Sequence, residues 1–146
     1  MRNHNEAPMG RIAIEIELAN NEDLVAAKLG VITAAKVRRA KIQGIVDPGA
    51  AELMLPKKVV DELGLPLKES KITVQYADGR LGSRPLAHQV SLSLLGRDGV
   101  FKAVVEPKRD TALIGAIVLE DLDLLVDCKR QRVMPRDPKA PLYEIE

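Results

Sequence analysis

Gly44-Ile45-Val46 is an apolar strand end that runs straight into Asp47-Pro48-Gly49-Ala50, and a helix signature follows. The helix is bracketed by Pro56, favourable at a first helical position, and Gly64, favourable just past a helix end. Val59, Val60 and Leu63 give it one apolar face. A lone carboxylate, Asp47, therefore stands where a core strand ends and a turn begins. Asp-Pro-Gly is also an ordinary turn signal, because Asp favours turn starts and Pro-Gly favours turn centres. The flanking sequence has to decide between the two.

Most of that flanking sequence has a period of two. Ile12, Ile14, Ile16 and Leu18 alternate with Ala13, Glu15 and Glu17, the pattern of a strand with one buried face. Asn20, Asn21, Glu22 and Asp23 form a polar break, residues 24–30 are ambiguous, and residues 31–46 read as extended. Residues 71–76 alternate again, with Ile72, Val74 and Tyr76 on one side, and Asp78-Gly79 follows, a dipeptide suited to the positive φ angles of a tight hairpin. Residues 90–95 and 100–105 are two more strands, joined by Gly96-Arg97-Asp98-Gly99.

Two segments read as helical, and they resemble each other. The second spans residues 116–122, with Val118, Leu119 and Leu122 as its face. Each is preceded by an apolar strand end and a Gly-Ala pair, Gly49-Ala50 or Gly115-Ala116, and each is followed by an apolar segment. This is a faint duplication of strand, glycine turn and helix.

Composition removes several functions. The chain has 146 residues, enough for one domain with a proper core, so residues 1–146 are expected to form a single domain with a flexible tail at 1–10. Lys and Arg number 22 against 21 Asp and Glu, so no charge excess points to nucleic acid or an anionic membrane. Two Tyr, one Phe and no Trp leave little for base stacking. The basic run at Lys36, Arg38, Arg39 and Lys41 is expected on a solvated strand face. Cys128 is the single cysteine, no Cys/His cluster has metal-ligand spacing, and His4 and His88 stand alone, so no metal or cofactor is expected. The first eleven residues lack the apolar core of a signal peptide, and no run is long enough to span a membrane. A cytoplasmic protein is the expectation.

Three motifs in order carry a resemblance. "IVDPGA" with "KKVVDELGL", then "YADGRLGSRP", then "LIGAIVLEDLDLLVD" resemble the retropepsin-like (retroviral-type) aspartic proteases, in particular their small bacterial branch. The likeness runs over residues 37–135. It implies a mostly β fold, an acid-protease barrel with a flap hairpin and two short helices. It further implies that Asp47 is catalytic and that Pro48, Gly49 and Ala50 form the active-site loop. Tyr76, Ala77, Asp78, Gly79 and Arg80 would belong to the flap, and Leu113, Ile114 and Gly115 would form a second glycine turn. In the family the Gly N–H donates to the aspartate. Asp127, which follows another apolar run, corresponds to a structural aspartate. Asp61 and Glu62 fall on the exposed side of the first helix.

One aspartate per chain implies a homodimer, in which Asp47 faces its symmetry mate and acts on a peptide or protein substrate. The two carboxylates would share a proton and titrate as a pair. Residues 12–18 and the tail "APLYEIE" are candidates for an inter-subunit sheet. Pro48 departs from the family, which has Thr or Ser there. Proline lacks both the hydroxyl and the N–H that bond across the two-fold. Two functions follow: an aspartic endopeptidase, favoured by Asp47, or a catalytically impaired pseudo-protease serving as a dimeric binding or assembly module, favoured by Pro48.

Overall fold

A computed structural model describes residues 12–145, so the expected tail at residues 1–10 and His4 lie outside the described residues. The elements are β1 (Ile12–Asn20), α1 (Asn21–Lys28), β2 (Arg39–Val46), β3 (Met54–Pro56), α2 (Lys57–Leu63), β4 (Ile72–Gln75), β5 (Leu81–Arg84), β6 (Leu86–Leu94), β7 (Arg97–Glu106), β8 (Ala112–Ile114), α3 (Ala116–Asp121), β9 (Leu124–Asp127) and β10 (Arg132–Pro135). Six strands close a barrel in the order β1-β2-β8-β3-β7-β6, while β4 pairs with β5 and β9 with β10 as separate two-stranded sheets. The mostly β fold is therefore as expected.

The alternation of β1 buries Ile12, Ile16 and Leu18 among Val46, Leu55, Val90, Leu92 and Val105. Full burial of each such side chain stabilises the fold by roughly 1.5–3 kcal/mol. Both expected helices form. α2 runs from Pro56 at its N-cap to Gly64, which closes it in the left-handed conformation at φ +60°, and Val59, Val60 and Leu63 face the core. α3 buries Val118 and Leu119.

Three local expectations change. The polar break at residues 20–23 is the start of a third helix, α1, because Asn20 caps it by accepting the Asp23 N–H at 3.1 Å. α1 buries none of its residues, so it carries no apolar stripe to read. Residues 31–38 are not extended; a short 3-10 turn at Ala34–Lys36 precedes β2. The turn between β6 and β7 is Leu95-Gly96, with φ of 52° and 76°, and Leu94 pairs directly with Arg97. Arg97 is drawn into β7 because its buried guanidinium donates to the carbonyls of Leu122 (3.0 Å) and Asp123 (2.9 Å) at the end of α3.

β1 is a barrel strand, paired with β2 from Ile12 to Ala19 and with β6 from Glu17 to Asn20. Residues 17–19 are thus paired on both sides, and residues 12–16 on the β2 side. The tail folds back on its own chain: the Leu142 N–H donates to Asp123 Oδ2 at 2.9 Å, and Arg136 reaches Asp123, Glu144 and the Leu142 carbonyl. Leu142, Tyr143 and Ile145 remain exposed. Among the described residues no helix is long and apolar enough to cross a membrane.

Candidate active site

Asp47 follows directly on β2, whose parallel pairing with β8 sets Val46 opposite Ile114. Its N–H continues that ladder by donating to the Ile114 carbonyl at 3.0 Å. The backbone then turns, with the Ala50 N–H donating to the Asp47 carbonyl at 3.1 Å. Gly49 donates its N–H to Asp47 Oδ1 at 3.0 Å, which fixes the carboxylate's rotation. A Cβ on Gly49 would sit 3.2 Å from that same oxygen. Asp47 is half-buried, not enclosed, while Pro48 and Gly49 are exposed. A strand end that looks buried in sequence thus delivers its acid to the mouth of a cleft.

The second glycine turn backs the first. Ala116 donates its N–H to the Ala50 carbonyl at 2.8 Å, and Ile117 donates to Ala51 at 3.0 Å. Gly115 lies so close that a Cβ would be 2.5 Å from the Glu52 carbonyl oxygen and 2.7 Å from Ala51. Ile114 is fully buried, and Leu113 reaches the cleft.

The cleft has a volume of about 1010 Å³, and β4 with the turn that follows it supplies part of its lining. Asp47, Gly49 and Ala50 line it together with Tyr76, Ala77, Asp78 and Gly79. The hairpin turn closes through the Tyr76 N–H on the Arg80 carbonyl (2.9 Å) and the Gly79 N–H on the Tyr76 carbonyl (2.9 Å). Of the dipeptide Asp78-Gly79, only Gly79 takes a positive φ, +85°; Asp78 instead accepts the Arg80 N–H on its side chain. Arg80 does not line the cleft but stacks on the Tyr76 ring, 4.6 Å from its centroid.

Sequence reasoning missed the charged wall of this cleft. Glu52, Lys102, Glu106 and Arg109 all line it. Glu106 is buried at the end of β7, accepting Tyr76 Oη at 2.6 Å and Arg84 Nε at 3.1 Å. The phenol of Tyr76 is held above its ordinary range, first by burial and then by its bond to Glu106, with Arg84 and Arg80 pulling the other way. The signal available in sequence was the one that singled out Asp47: an acid ending an apolar run, here "AVVE". Asp127, Asp61 and Glu62 are not among the residues that line the cleft. Asp127 accepts the Arg130 N–H in the β9–β10 turn, and Asp61 and Glu62 are exposed on α2, Asp61 paired with Lys57 at 2.7 Å.

A six-stranded barrel with an aspartate at a strand end beneath a hairpin is the retroviral protease fold. The sequence matches the family described as aspartyl protease over residues 25–118, more than half of its length, and the chain belongs to that family. The match includes the Asp47 loop, the hairpin and the second glycine turn. Among solved structures the chain is similar to EIAV protease complexed with the inhibitor HBY-793, with a TM-score of 0.52 and 14% identity, covering 84% of this chain and 93% of that one. That likeness is one of fold. No curated protein sequence matches the chain.

Proposed function

We propose that the chain is an aspartic endopeptidase of the retropepsin type, a single domain that works as a homodimer with Asp47 of each protomer facing its mate. What supports this reading is that Asp47, its Oδ1 oriented by the Gly49 N–H, lines a cleft of about 1010 Å³ together with the β4 strand and turn that we assign as the flap. One protomer supplies one such aspartate, so the two-fold completes the site. Two carboxylates brought together hold one proton between them. The ionised one takes a proton from a water, whose oxygen bonds to the peptide carbonyl carbon. The protonated one donates to the carbonyl oxygen. A proton then passes to the amide nitrogen, the C–N bond breaks, and an acid and an amine leave.

Asp47→Asn tests the assignment. It should abolish cleavage of a denatured protein substrate between about pH 4 and 7 while leaving the fold intact, because an amide cannot accept the water's proton. Retained cleavage would remove Asp47 from the chemistry.

Pro48 keeps a second reading open, a dimeric binding or assembly module. It has no N–H and no hydroxyl to bond across a two-fold, and it stands exposed on the protomer. A wild-type dimer that is inert over the same pH range would favour that function.

A further inference from the structure

The β4–β5 hairpin pairs with no barrel strand. A lone two-stranded hairpin is marginal in water, yet this one is held over the cleft. Its root is tied by backbone, with the Val105 N–H donating to the Pro85 carbonyl at 3.0 Å. Farther out, Glu106 takes over. Its Oε1 accepts from Arg84, which stands opposite Ile72 at the root, and from Tyr76, where the hairpin begins to turn. The Tyr76 ring is set in turn by its neighbours. Arg80 and Arg84 lie 4.6 and 5.6 Å from its centroid, and Gly82 leaves it room, since a Cβ there would be 3.1 Å from the ring. One buried carboxylate on the barrel thus gathers both ends of a hairpin strand pair.

We propose that Glu106 is a positioning residue, latching the flap to the barrel wall and setting the height of the roof above Asp47. The proposal rests on reading this cleft as the peptidase site. Bonds to an ionised acceptor are short and strong. Lifting the flap would leave a buried carboxylate without its partners until water reached it. Flap opening and the wetting of Glu106 are therefore one event, and the latch pre-orders the closed roof that a bound substrate meets.

Backbone hydrogen exchange on the full chain reads the latch without catalysis. Tyr76→Phe removes the hydroxyl but keeps the ring, and amides of residues 72–84 should exchange about tenfold faster or more while those of β1 and β2 hold. Glu106→Gln should do the same. In a Tyr143→Phe background, where absorbance reports Tyr76 alone, Glu106→Gln should also lower the pH at which the phenol ionises. With a peptide substrate, KM should rise by more than kcat falls in both variants. Adding Tyr76→Phe to Glu106→Gln should add less than Tyr76→Phe does alone, because the two substitutions share the Tyr76–Glu106 bond. If Glu106→Gln does not fold, Tyr76→Phe decides alone. Unchanged exchange at residues 72–84 in a folded Tyr76→Phe protein overturns the latch. A wild type without peptidase activity instead overturns the reading of the cleft, and with it any catalytic consequence of Glu106, whatever the exchange shows.

Discussion

The N–H of Ala116 donates to the carbonyl of Ala50 at 2.8 Å, so the loop that carries Asp47 is held from behind by the turn that begins α3. Gly115 makes the approach possible. Its φ of −90° is open to any residue; what excludes a side chain is space, since backbone atoms of Ala51 and Glu52 lie within 2.7 Å of where a Cβ would be. Backbone cannot swing aside as a side-chain tip can. Gly115→Ala should therefore destabilise the fold by about 1–3 kcal/mol, the usual range for overpacking, and reduce any cleavage with it. A urea midpoint within error of wild type would contradict the close approach.

Pro48→Thr should tighten the proposed dimer. It restores an N–H and a hydroxyl to each loop, up to four new bonds across the two-fold at about 0.5–1.5 kcal/mol each. Sedimentation should show a dissociation constant at least about tenfold lower, with cleavage faster per unit enzyme. Slower cleavage would mean that the rigid proline is itself part of the site.

Asn20 joins two helices from a position that is 1% exposed. It caps α1 through Asp23 and donates to the carbonyls of Leu63 (2.9 Å) and Gly64 (3.3 Å) at the end of α2. Asn20→Ala loses a cap and strands a buried carbonyl, and the expected loss is about 2–4 kcal/mol. Asn20→Ser keeps the cap alone and should fall between, measured by thermal or urea unfolding.

Acid should release the tail. The Asp123 carboxyl is held below its ordinary range, first by the Leu142 N–H and then by Arg136. A group lowered on folding contributes its stability in full above the unfolded value of about 3.9, and loses it as pH falls from there through the folded value. The Leu142 amide resonance should therefore stay native at pH 5 and shift only below about pH 4. A midpoint at or above that value would show that Asp123 does not hold the tail.

Local patterns explain what could be read in the chain and what could not. Alternation at Ile12, Ile16 and Leu18, and the stripe Val59, Val60 and Leu63 between Pro56 and Gly64, record burial on one face, and a buried face repeats with the period of its own element. The two glycine turns were legible because each lies between such elements. α1 buries nothing, so only its cap, Asn20, marks it. Leu95 at φ 52° was invisible because the turn is imposed by the pairing of Leu94 with Arg97, and that pairing by carbonyls at the end of α3.

The sequence by itself determined strands β1, β2, β6 and β7 of the barrel, two of the helices and the turn that carries Asp47, since each depends on neighbours a few residues away. Tertiary structure alone decided that Gly115 presses on Ala51 and Glu52, and that Glu106 meets Tyr76 and Arg84, 30 and 22 residues distant. Those contacts come from closing the barrel and folding the hairpin over it, and no local period records which side chains the closure brings together.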